Sequence, residues 1–200
     1  MTLFWQDIFE IDQGAELVSV FTSDSAAIPI KCYSPELMVV PSYDITDWQG
    51  RLHILVVGPG LGRSCPPDLV KNLLLNNDLP MIVDADGLFQ LQNSLDLLST
   101  RNHEKKTVIL TPNRPEFERL KDAAIRKNLI ETWNNDDVDN VISMSKILKC
   151  TVFLKGENDI IGNYEQGHCI SEEVGSNRRC GGQESCLTIT VSRLRSIIAT

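Results

Sequence analysis

Short apolar runs alternate with helical patterns along most of this chain, and this alternation restricts the fold more than any other feature. The apolar runs are Leu17–Phe21, Leu37–Val40, His53–Val57, Met81–Val83, Thr107–Leu110 and Thr151–Leu154. The helical patterns cover Asp68–Leu75, Leu88–Leu98, Glu116–Leu129 and Val138–Leu148. Near-continuous apolar runs are typical of strands that are covered on both faces. The order therefore predicts a doubly wound α/β layer sandwich with a mostly parallel sheet.

Two further segments have a local pattern. The polar stretch Asn134–Asp137 predicts a loop between two helices, with Asp137 as the N-cap of the second helix. Near the C-terminus, Leu187–Val191 alternates apolar and polar residues, which predicts a strand.

The composition excludes several partner classes. The chain has 200 residues, of which 42% are hydrophobic, so one domain with a sizeable core is expected. The net charge of -8, without a basic block, argues against nucleic acid or an anionic membrane as the main partner. No apolar stretch approaches the length of a bilayer span. Met1–Gln13 has no Lys or Arg and fits neither a secretory signal nor a transit peptide, so a cytoplasmic location is expected, with a mitochondrial location left open for a longer form.

The cysteines and histidines show no metal-binding spacing. The cysteines are Cys32, Cys65, Cys150, Cys169, Cys180 and Cys186, and none forms a CxxC pair. Without a signal peptide, free buried thiols are favoured over disulfides. His53, His103 and His168 are isolated, so no metal site is predicted.

The residues that follow the strands carry the candidate chemistry, because ligands of such sheets bind beyond the carboxyl ends of the strands. Four consecutive strand ends carry Gly, Asp, Asn, Glu and Lys and are expected to build one rim. The segments are Gly58–Arg63, Asp84–Gly87, Thr111–Phe117 and Lys155–Asp159.

Each rim segment also has a structural interpretation. Gly58–Gly62 lacks the GxGxxG spacing, so a tight turn and a close approach to a ligand are equally compatible with it. Asp84 or Asp86 can be a helix N-cap or a catalytic or metal-binding group. Asn113 can cap the helix that begins near Pro115, and we expect it also to face the rim.

A positively charged residue and a glycine-rich run favour phosphate binding. Lys155, followed by Gly156 and with Asp159 nearby, favours a nucleotide contact over a solvated strand end. Gly175–Gln183 holds Arg178 and Arg179 between glycines, and such a run can turn several N–H groups toward an anion, so phosphate binding is favoured over a solvated surface pair of arginines.

Taken together, these motifs resemble one family. The segments Gly58–Arg63, Val83–Gly87, Leu110–Asn113, Glu116-Phe117, Lys155–Glu157 and Gly175–Gln183 occur in the order seen in the ATP-dependent NAD(P)H-hydrate dehydratases. The resemblance runs from about residue 14, through Tyr33–Leu37, to residue 183. It implies a division into a divergent N-terminus (1–13), a dehydratase-like domain (14–183) and a divergent C-terminal tail (184–200).

The resemblance implies a fold and a reaction. The fold is the ribokinase-like three-layer α/β/α sandwich, here incomplete, and the activity is metabolite repair. In that family the S epimer of hydrated NADH or NADPH is dehydrated to the working cofactor while ATP, assisted by Mg²⁺, becomes ADP and phosphate. The implied chemistry phosphorylates the hydrate hydroxyl, after which the ring nitrogen lone pair expels phosphate.

The resemblance also implies binding residues. Contacts to the hydrated nicotinamide nucleotide are implied for Gly60, Asn113, Arg114, Pro115, Glu116, Phe117, Glu118 and Arg119. ATP contacts are implied for Lys155, Gly156, Glu157, Asn158, Asp159, Gly175, Ser176, Asn177, Arg178, Arg179, Cys180, Gly181, Gly182, Gln183 and Glu184. The glycine-rich run would stabilise charge on the transferred phosphoryl group.

The chain departs from the family pattern after Gln183. The family continues with Gly-Asp, whose Asp is the expected base for the substrate hydroxyl, whereas this chain has Glu184-Ser185. No catalytic residue is therefore assigned, and we expect an alternative or truncated product with doubtful activity. The other interpretations are a ribokinase-like kinase for a vitamin precursor and a non-catalytic binding subunit or fragment. A homo-oligomer is possible.

Overall fold

The computed structural model describes residues 17–33, 37–62, 65–100 and 107–171. The strands in these ranges are β1 (Ser19–Phe21), β2 (Met38–Val40), β3 (Leu55–Val57), β4 (Met81–Val83), β5 (Val108–Leu110), β6 (Thr151–Leu154), β7 (Asp159–Asn163) and β8 (Gly167–Ser171). The helices are α1 (Asp24–Tyr33), α2 (Leu69–Asn76), α3 (Ala85–Leu91), α4 (Asp96–Thr100), α5 (Arg114–Arg126) and α6 (Asp137–Leu148), with 3₁₀ turns at Thr46–Trp48 and Gln92–Ser94.

Within the described residues, the main sheet has six strands in the order β3-β4-β5-β6-β7-β8. Its first four strands are parallel, with Leu55 opposite Met81 and Met81 opposite Val108. β7 and β8 continue the sheet in antiparallel order. β1 and β2 form a separate parallel pair. The predicted α/β fold with a mostly parallel central sheet is confirmed.

The two faces of the main sheet bury different sets of side chains. Alternate strand residues such as Val57, Val83 and Leu110 join the large core, to which helices α2 to α6 all contribute buried side chains. The intervening residues Ile82 and Ile109 form a smaller apolar cluster on the opposite face, together with Phe153. Because β4 and β5 bury both faces, they read in the sequence as continuous apolar runs.

Several predicted boundaries differ from the structure. The apolar runs at residues 17–21, 37–40, 53–57 and 107–110 begin before the strands they contain. The helix predicted over residues 88–98 is instead α3, a 3₁₀ turn and α4, and α3 begins earlier because Asp84 caps it. The N-cap of α6 is Asp136 and not Asp137, because the Asp136 carboxylate accepts from the N–H groups of Val138 and Asp139.

Two parts of the fold were not predicted. Helix α1 contains Pro29, a residue that normally argues against a helix interior. The β7–β8 hairpin is the second. Its turn is held by the Asn163 side-chain oxygen, which accepts from the N–H groups of Glu165 and Gln166, both at 2.9 Å. Gly167 completes the turn at φ 95°.

Four cysteines lie in the described residues, and all are free thiols. Cys65 and Cys150 are buried as predicted, but Cys32 and Cys169 are exposed, so the expectation of burial is wrong for these two. The strand predicted at Leu187–Val191 lies outside the described residues. Within the ranges given above, no helix is both long and apolar enough to cross a membrane.

Candidate functional site

The carboxyl ends of β3, β4, β5 and β6 lie side by side, because these strands are parallel neighbours in the sheet. The segments that leave these ends are Gly58–Gly62, Asp84–Gly87, Thr111–Asn113 and Lys155–Asp159. The predicted rim is therefore a continuous edge, and the described parts of all four predicted segments meet there.

A buried ion pair crosses this edge. The Lys155 ammonium lies 2.8 Å from Asp84 Oδ1, and the side chains are 8% and 0% exposed. Asp84 follows β4 and Lys155 follows β6, so the pair spans about 9.5 Å over the end of β5. Burial removes most of the water that would screen the pair, and the fold holds both charged groups in place.

The backbone around Lys155 ties β6 to β5. The Lys155 N–H donates to Pro112 O at 2.9 Å, and Asn113 and Lys155 form an isolated parallel bridge. These contacts place the start of the Lys155–Asp159 segment beside the start of α5. The segment predicted to contact ATP and the segment predicted to contact the hydrated nicotinamide nucleotide are thus direct neighbours.

The turn between β4 and α3 has a constrained backbone. Ala85 has φ 45°, a value that costs a non-glycine residue about 1–3 kcal/mol. Asp84 Oδ1 accepts from the Ala85 N–H at 2.9 Å. Asp84 is therefore both the N-cap of α3 and the partner of Lys155, and only the capping role was among those that the sequence left open.

The glycine loop after β3 packs directly on this turn. Gly58, Gly60 and Gly62 all have positive φ, at 125°, 65° and 73°. A Cβ on Gly58 would lie 1.8 Å from Asp84 O, so only glycine permits this approach. The atoms that lie close to Gly58 are therefore backbone atoms of this chain and not atoms of a ligand. Further along the loop, the Gly62 N–H donates to Asp86 Oδ2 at 2.9 Å.

Asn113 and Glu116 form a capping box at the start of α5. The Glu116 N–H donates to Asn113 Oδ1 at 3.0 Å, and the Asn113 N–H donates to Glu116 Oε2 at 2.8 Å. Pro115 lies in the first turn, as predicted. The predicted capping role of Asn113 is confirmed, and its contact with a ligand stays a prediction.

The other residues predicted to contact substrate occupy different environments. Arg114 is exposed and forms an ion pair with Asp137 at the start of α6. Glu118 and Arg119 are exposed, and Glu118 pairs with Lys121 at 3.0 Å. Phe117 is entirely buried in the large core. Its contact with substrate stays a prediction.

The segment after β6 turns sharply into β7. The Gly156 N–H donates to Asp159 Oδ1 at 3.0 Å, and Gly156, Glu157 and Asn158 are exposed. This turn presents backbone and side-chain groups next to the buried Lys155.

A further cluster, which was not predicted, holds the segment that leads into α2. Gln90 on α3 donates from Nε2 to Cys65 Sγ at 2.8 Å and to Pro66 O at 2.9 Å. Its Oε1 accepts from the Val70 N–H at 3.2 Å. Burial and the nearby Asp86 carboxylate raise the pKa of the Cys65 thiol, so this thiol is a packing group.

The Asp84–Lys155 pair was also missed. The sequence shows an Asp and a Lys that each follow a strand, but their contact depends on the order β4-β5-β6, which a single sequence does not contain. Arg63, Gly175–Gln183, Glu184 and Ser185 lie outside the described residues. Within the described part of the chain, no three His, Cys, Asp or Glu side chains cluster closely enough to hold a metal ion.

Solved structures place this architecture in a known fold class. A ribokinase-like superfamily protein from Enterococcus faecalis matches with a TM-score of 0.75 at 19% identity, over 98% of this chain and 66% of that one. The ADP/ATP-dependent NAD(P)H-hydrate dehydratase from Bacillus subtilis, co-crystallized with ATP/Mg²⁺, matches with a TM-score of 0.66 at 20% identity, over 94% of this chain and 65% of that one. The fold is ribokinase-like, as predicted.

The family follows from the sequence comparison. The family model described as NAD(P)H-hydrate dehydratase matches residues 11–194, and the chain belongs to that family. The ATP-dependent (S)-NAD(P)H-hydrate dehydratase of Rattus norvegicus is 39% identical over 204 residues, which are 92% of this chain and 55% of the relative. The Homo sapiens protein of the same name is 39% identical over 199 residues, with 92% and 54% covered. The chain spans about half the length of the curated relatives it matches.

Proposed function

We propose that this chain acts in metabolite repair, by ATP-dependent dehydration of the S epimer of hydrated NADH or NADPH to the working cofactor, with ADP and phosphate as the other products. Family membership and the names of the similar proteins support this activity. The observation that carries the proposal is the shared edge of the sheet. There the buried Lys155 adjoins the capped start of α5, and the glycine loop lies across the β4 turn.

The described residues suit the phosphates of ATP. An ammonium has three donors, of which the Asp84 bond uses one, and Lys155 lies at the rim beside the start of α5. The start of α5 adds a favourable field for negative charge. We assign ATP to Lys155–Asp159 and Gly175–Glu184, and the glycine-rich run among them to the transferred phosphoryl group.

The hydrated nicotinamide nucleotide would lie on the other side of the same edge. Gly60 is in the loop after β3, and residues Asn113–Arg119 begin α5 after β5. These two segments flank the Asp84–Gly87 turn, because β4 lies between β3 and β5. The hydrate hydroxyl would then face Lys155 and the phosphates across that turn.

We propose that Mg²⁺ binds together with ATP and not at a site formed by protein ligands alone. Mg²⁺ is usually held by substrate phosphates, waters and one or two carboxylates. When bound with ATP, the ion supplies neutralisation of the phosphate charge.

The chain should turn over slowly for one chemical reason. Ser185 stands where the family pattern has an Asp, and a hydroxyl does not replace a carboxylate as a base. Loss of an acid–base group typically costs about 10²–10⁴-fold in rate, so we expect a rate about a thousandfold below that of an intact relative. Single-turnover kinetics against the rat protein would measure this, and equal rates would contradict the role assigned to the missing Asp.

A product assay tests the proposed function. Purified chain, Mg²⁺ and a mixture of both NADPH-hydrate epimers are incubated with and without ATP, and the nucleotides are separated by chromatography. We expect ATP-dependent loss of the S epimer with matched formation of NADPH and ADP, and no loss in Lys155→Met. Consumption of ATP only with a vitamin-precursor alcohol would instead identify a kinase, and no ATP-dependent product would refute both activities.

A further inference from the structure

We infer that the turn Asp84-Ala85-Asp86 is the positioning element of the site. Asp84 positions the group that binds ATP, and Asp86 positions the loop that binds the hydrated NAD(P)H. This inference rests on the proposed function. Neither carboxylate is among the residues assigned above to ATP or to the hydrate. Both act through another group, Asp84 through the Lys155 ammonium and Asp86 through the Gly62 N–H.

Asp84 fixes the position of the Lys155 ammonium. A lysine side chain has four rotatable bonds and normally samples many positions, and ordering it costs entropy. Here the ammonium is held at 2.8 Å by a carboxylate that is itself fully buried and fixed by the Ala85 N–H. The cation is therefore placed at the edge of the sheet before any phosphate arrives, which lowers the ordering cost of binding.

Asp86 fixes the glycine loop that carries Gly60. A loop with three positive-φ glycines has little conformational preference of its own. The Asp86 carboxylate accepts from Gly62 at one end of the loop, and Gly58 contacts the Asp84 carbonyl at the other end. Gly60 is held between these two contacts.

The strained backbone between the two aspartates connects their actions. Ala85, at φ 45°, directs Asp84 toward β6 and Asp86 toward the loop after β3. Strain of this kind persists where the surrounding contacts over-determine it, and it is concentrated at functional sites. One short turn thus positions both the Lys155 ammonium and the glycine loop.

The two aspartates give a matched pair of variants. Asp84→Asn removes the charge that holds Lys155 and keeps an oxygen that can cap Ala85. Asp86→Asn is the equivalent change two residues away. Because Asp84→Asn leaves a buried ammonium without its carboxylate and threatens folding, the double variant Asp84→Asn/Lys155→Met removes both charges. Asp96→Asn is the control, since it breaks another Asp–Lys pair, the 2.7 Å contact to Lys127 at the far end of α5, about 20 Å from the rim.

Calorimetric binding of ATP with Mg²⁺ and of the S hydrate separates the two roles. We expect Asp84→Asn and the double variant to bind ATP at least about tenfold more weakly, the loss typical of a hydrogen bond to a charged group. Their hydrate affinity should stay within about threefold of the unmodified chain. Asp86→Asn should bind the hydrate at least about tenfold more weakly and ATP within about threefold of the unmodified chain. It should also show faster amide hydrogen exchange over Gly58–Gly62. Asp96→Asn should change neither affinity.

The outcomes distinguish the inference from the proposed function. If the unmodified chain binds both ligands but Asp84→Asn and Asp86→Asn weaken them equally or not at all, the positioning roles are wrong and the function stands. If the double variant melts like the unmodified chain and regains full ATP affinity, the pair is purely structural. If the unmodified chain binds neither ligand, the proposed function fails and the inference fails with it.

Discussion

Gly58 is the residue at which the fold and the site constrain each other most tightly. A Cβ there would lie 1.8 Å from Asp84 O and 2.6 Å from Gly87 N, and both are backbone atoms that cannot move away independently. The φ of 125° adds strain for any other residue. We expect Gly58→Ala to destabilise the chain by about 3 kcal/mol or more, in the range of severe backbone and overpacking effects.

Gly50 provides the control for this prediction. A methyl group added at Gly50 would meet nothing within 4 Å, so Gly50→Ala should change stability by less than about 0.5 kcal/mol. Urea unfolding of both variants gives the comparison. Similar midpoints for the two would show that the loop after β3 does not pack on the β4 turn as described.

At the scale of single elements, the start of α5 depends on its capping box. The Asn113 side chain accepts from Glu116 N–H, and loss of such a cap costs about 1 kcal/mol. We expect Asn113→Ala to lower the free energy of unfolding by about that amount. Since α5 begins at the rim, its first turn should also exchange amide hydrogens faster.

Asp68 is the matched control for the cap. It occupies the N-cap position of α2, but its side chain makes no capping hydrogen bond there, and Gln90 accepts from the Val70 N–H instead. Asp68→Ala should therefore cost less than about 0.5 kcal/mol. An Asn113→Ala variant no less stable than Asp68→Ala would contradict the role of the capping box.

The elements show where sequence patterns suffice. β4, β5 and α5 were predictable because a continuous apolar run and an Asn-x-Pro-Glu start each have one common structural meaning. The β7–β8 hairpin was not, because β8 is largely exposed and contains His168, and no apolar period identifies it. α1 was missed for a different reason, since Pro29 outweighs its otherwise helical composition.

At the scale of the whole molecule, acid should weaken the fold through the pair that links α4 to α5. The Lys127 ammonium, 2.7 Å from Asp96 Oδ1, lowers the pKa of the Asp96 carboxyl. The pair therefore stabilises the folded state above the ordinary Asp value of about 4, and this contribution is lost as the pH falls through the lowered pKa. Because both side chains are partly exposed, the contribution is at most about 1 kcal/mol.

Unfolding by urea across the acid range measures this contribution. We expect Asp96→Asn to be less stable than the unmodified chain at neutral pH, and the difference to shrink as the pH falls below about 4. Asp122→Asn, on the exposed side of α5, is the control. Its free energy of unfolding should change with pH in the same way as that of the unmodified chain. A difference for Asp96→Asn that grows with acid would reverse the sign and refute the assignment.

The site as a whole was predictable to the level of a shared edge but not of contacts. The rule that strand ends build the ligand site identified the segments at Gly58, Asp84, Asn113 and Lys155. Their pairing needed the strand order and the left-handed turn at Ala85, which depend on tertiary packing. Asp86 and Gln90 lie in α3, and nothing in the sequence marks Asp86 as a support of the glycine loop or Gln90 as a partner of the segment that leads into α2.

Every role proposed for this chain depends on ATP binding at the carboxyl edge of β3 to β6. Amide hydrogen exchange of the purified chain, with and without saturating ATP and Mg²⁺, tests this most directly. We predict slower exchange at Gly58–Gly62, at the first turn of α5 and at Lys155–Asp159, with little change in β8 or at the Asp96–Lys127 end of the molecule. Protection confined to the polar pocket that Lys71, Asp96 and Lys127 line, or no protection at any strand end, would contradict ATP binding at this edge.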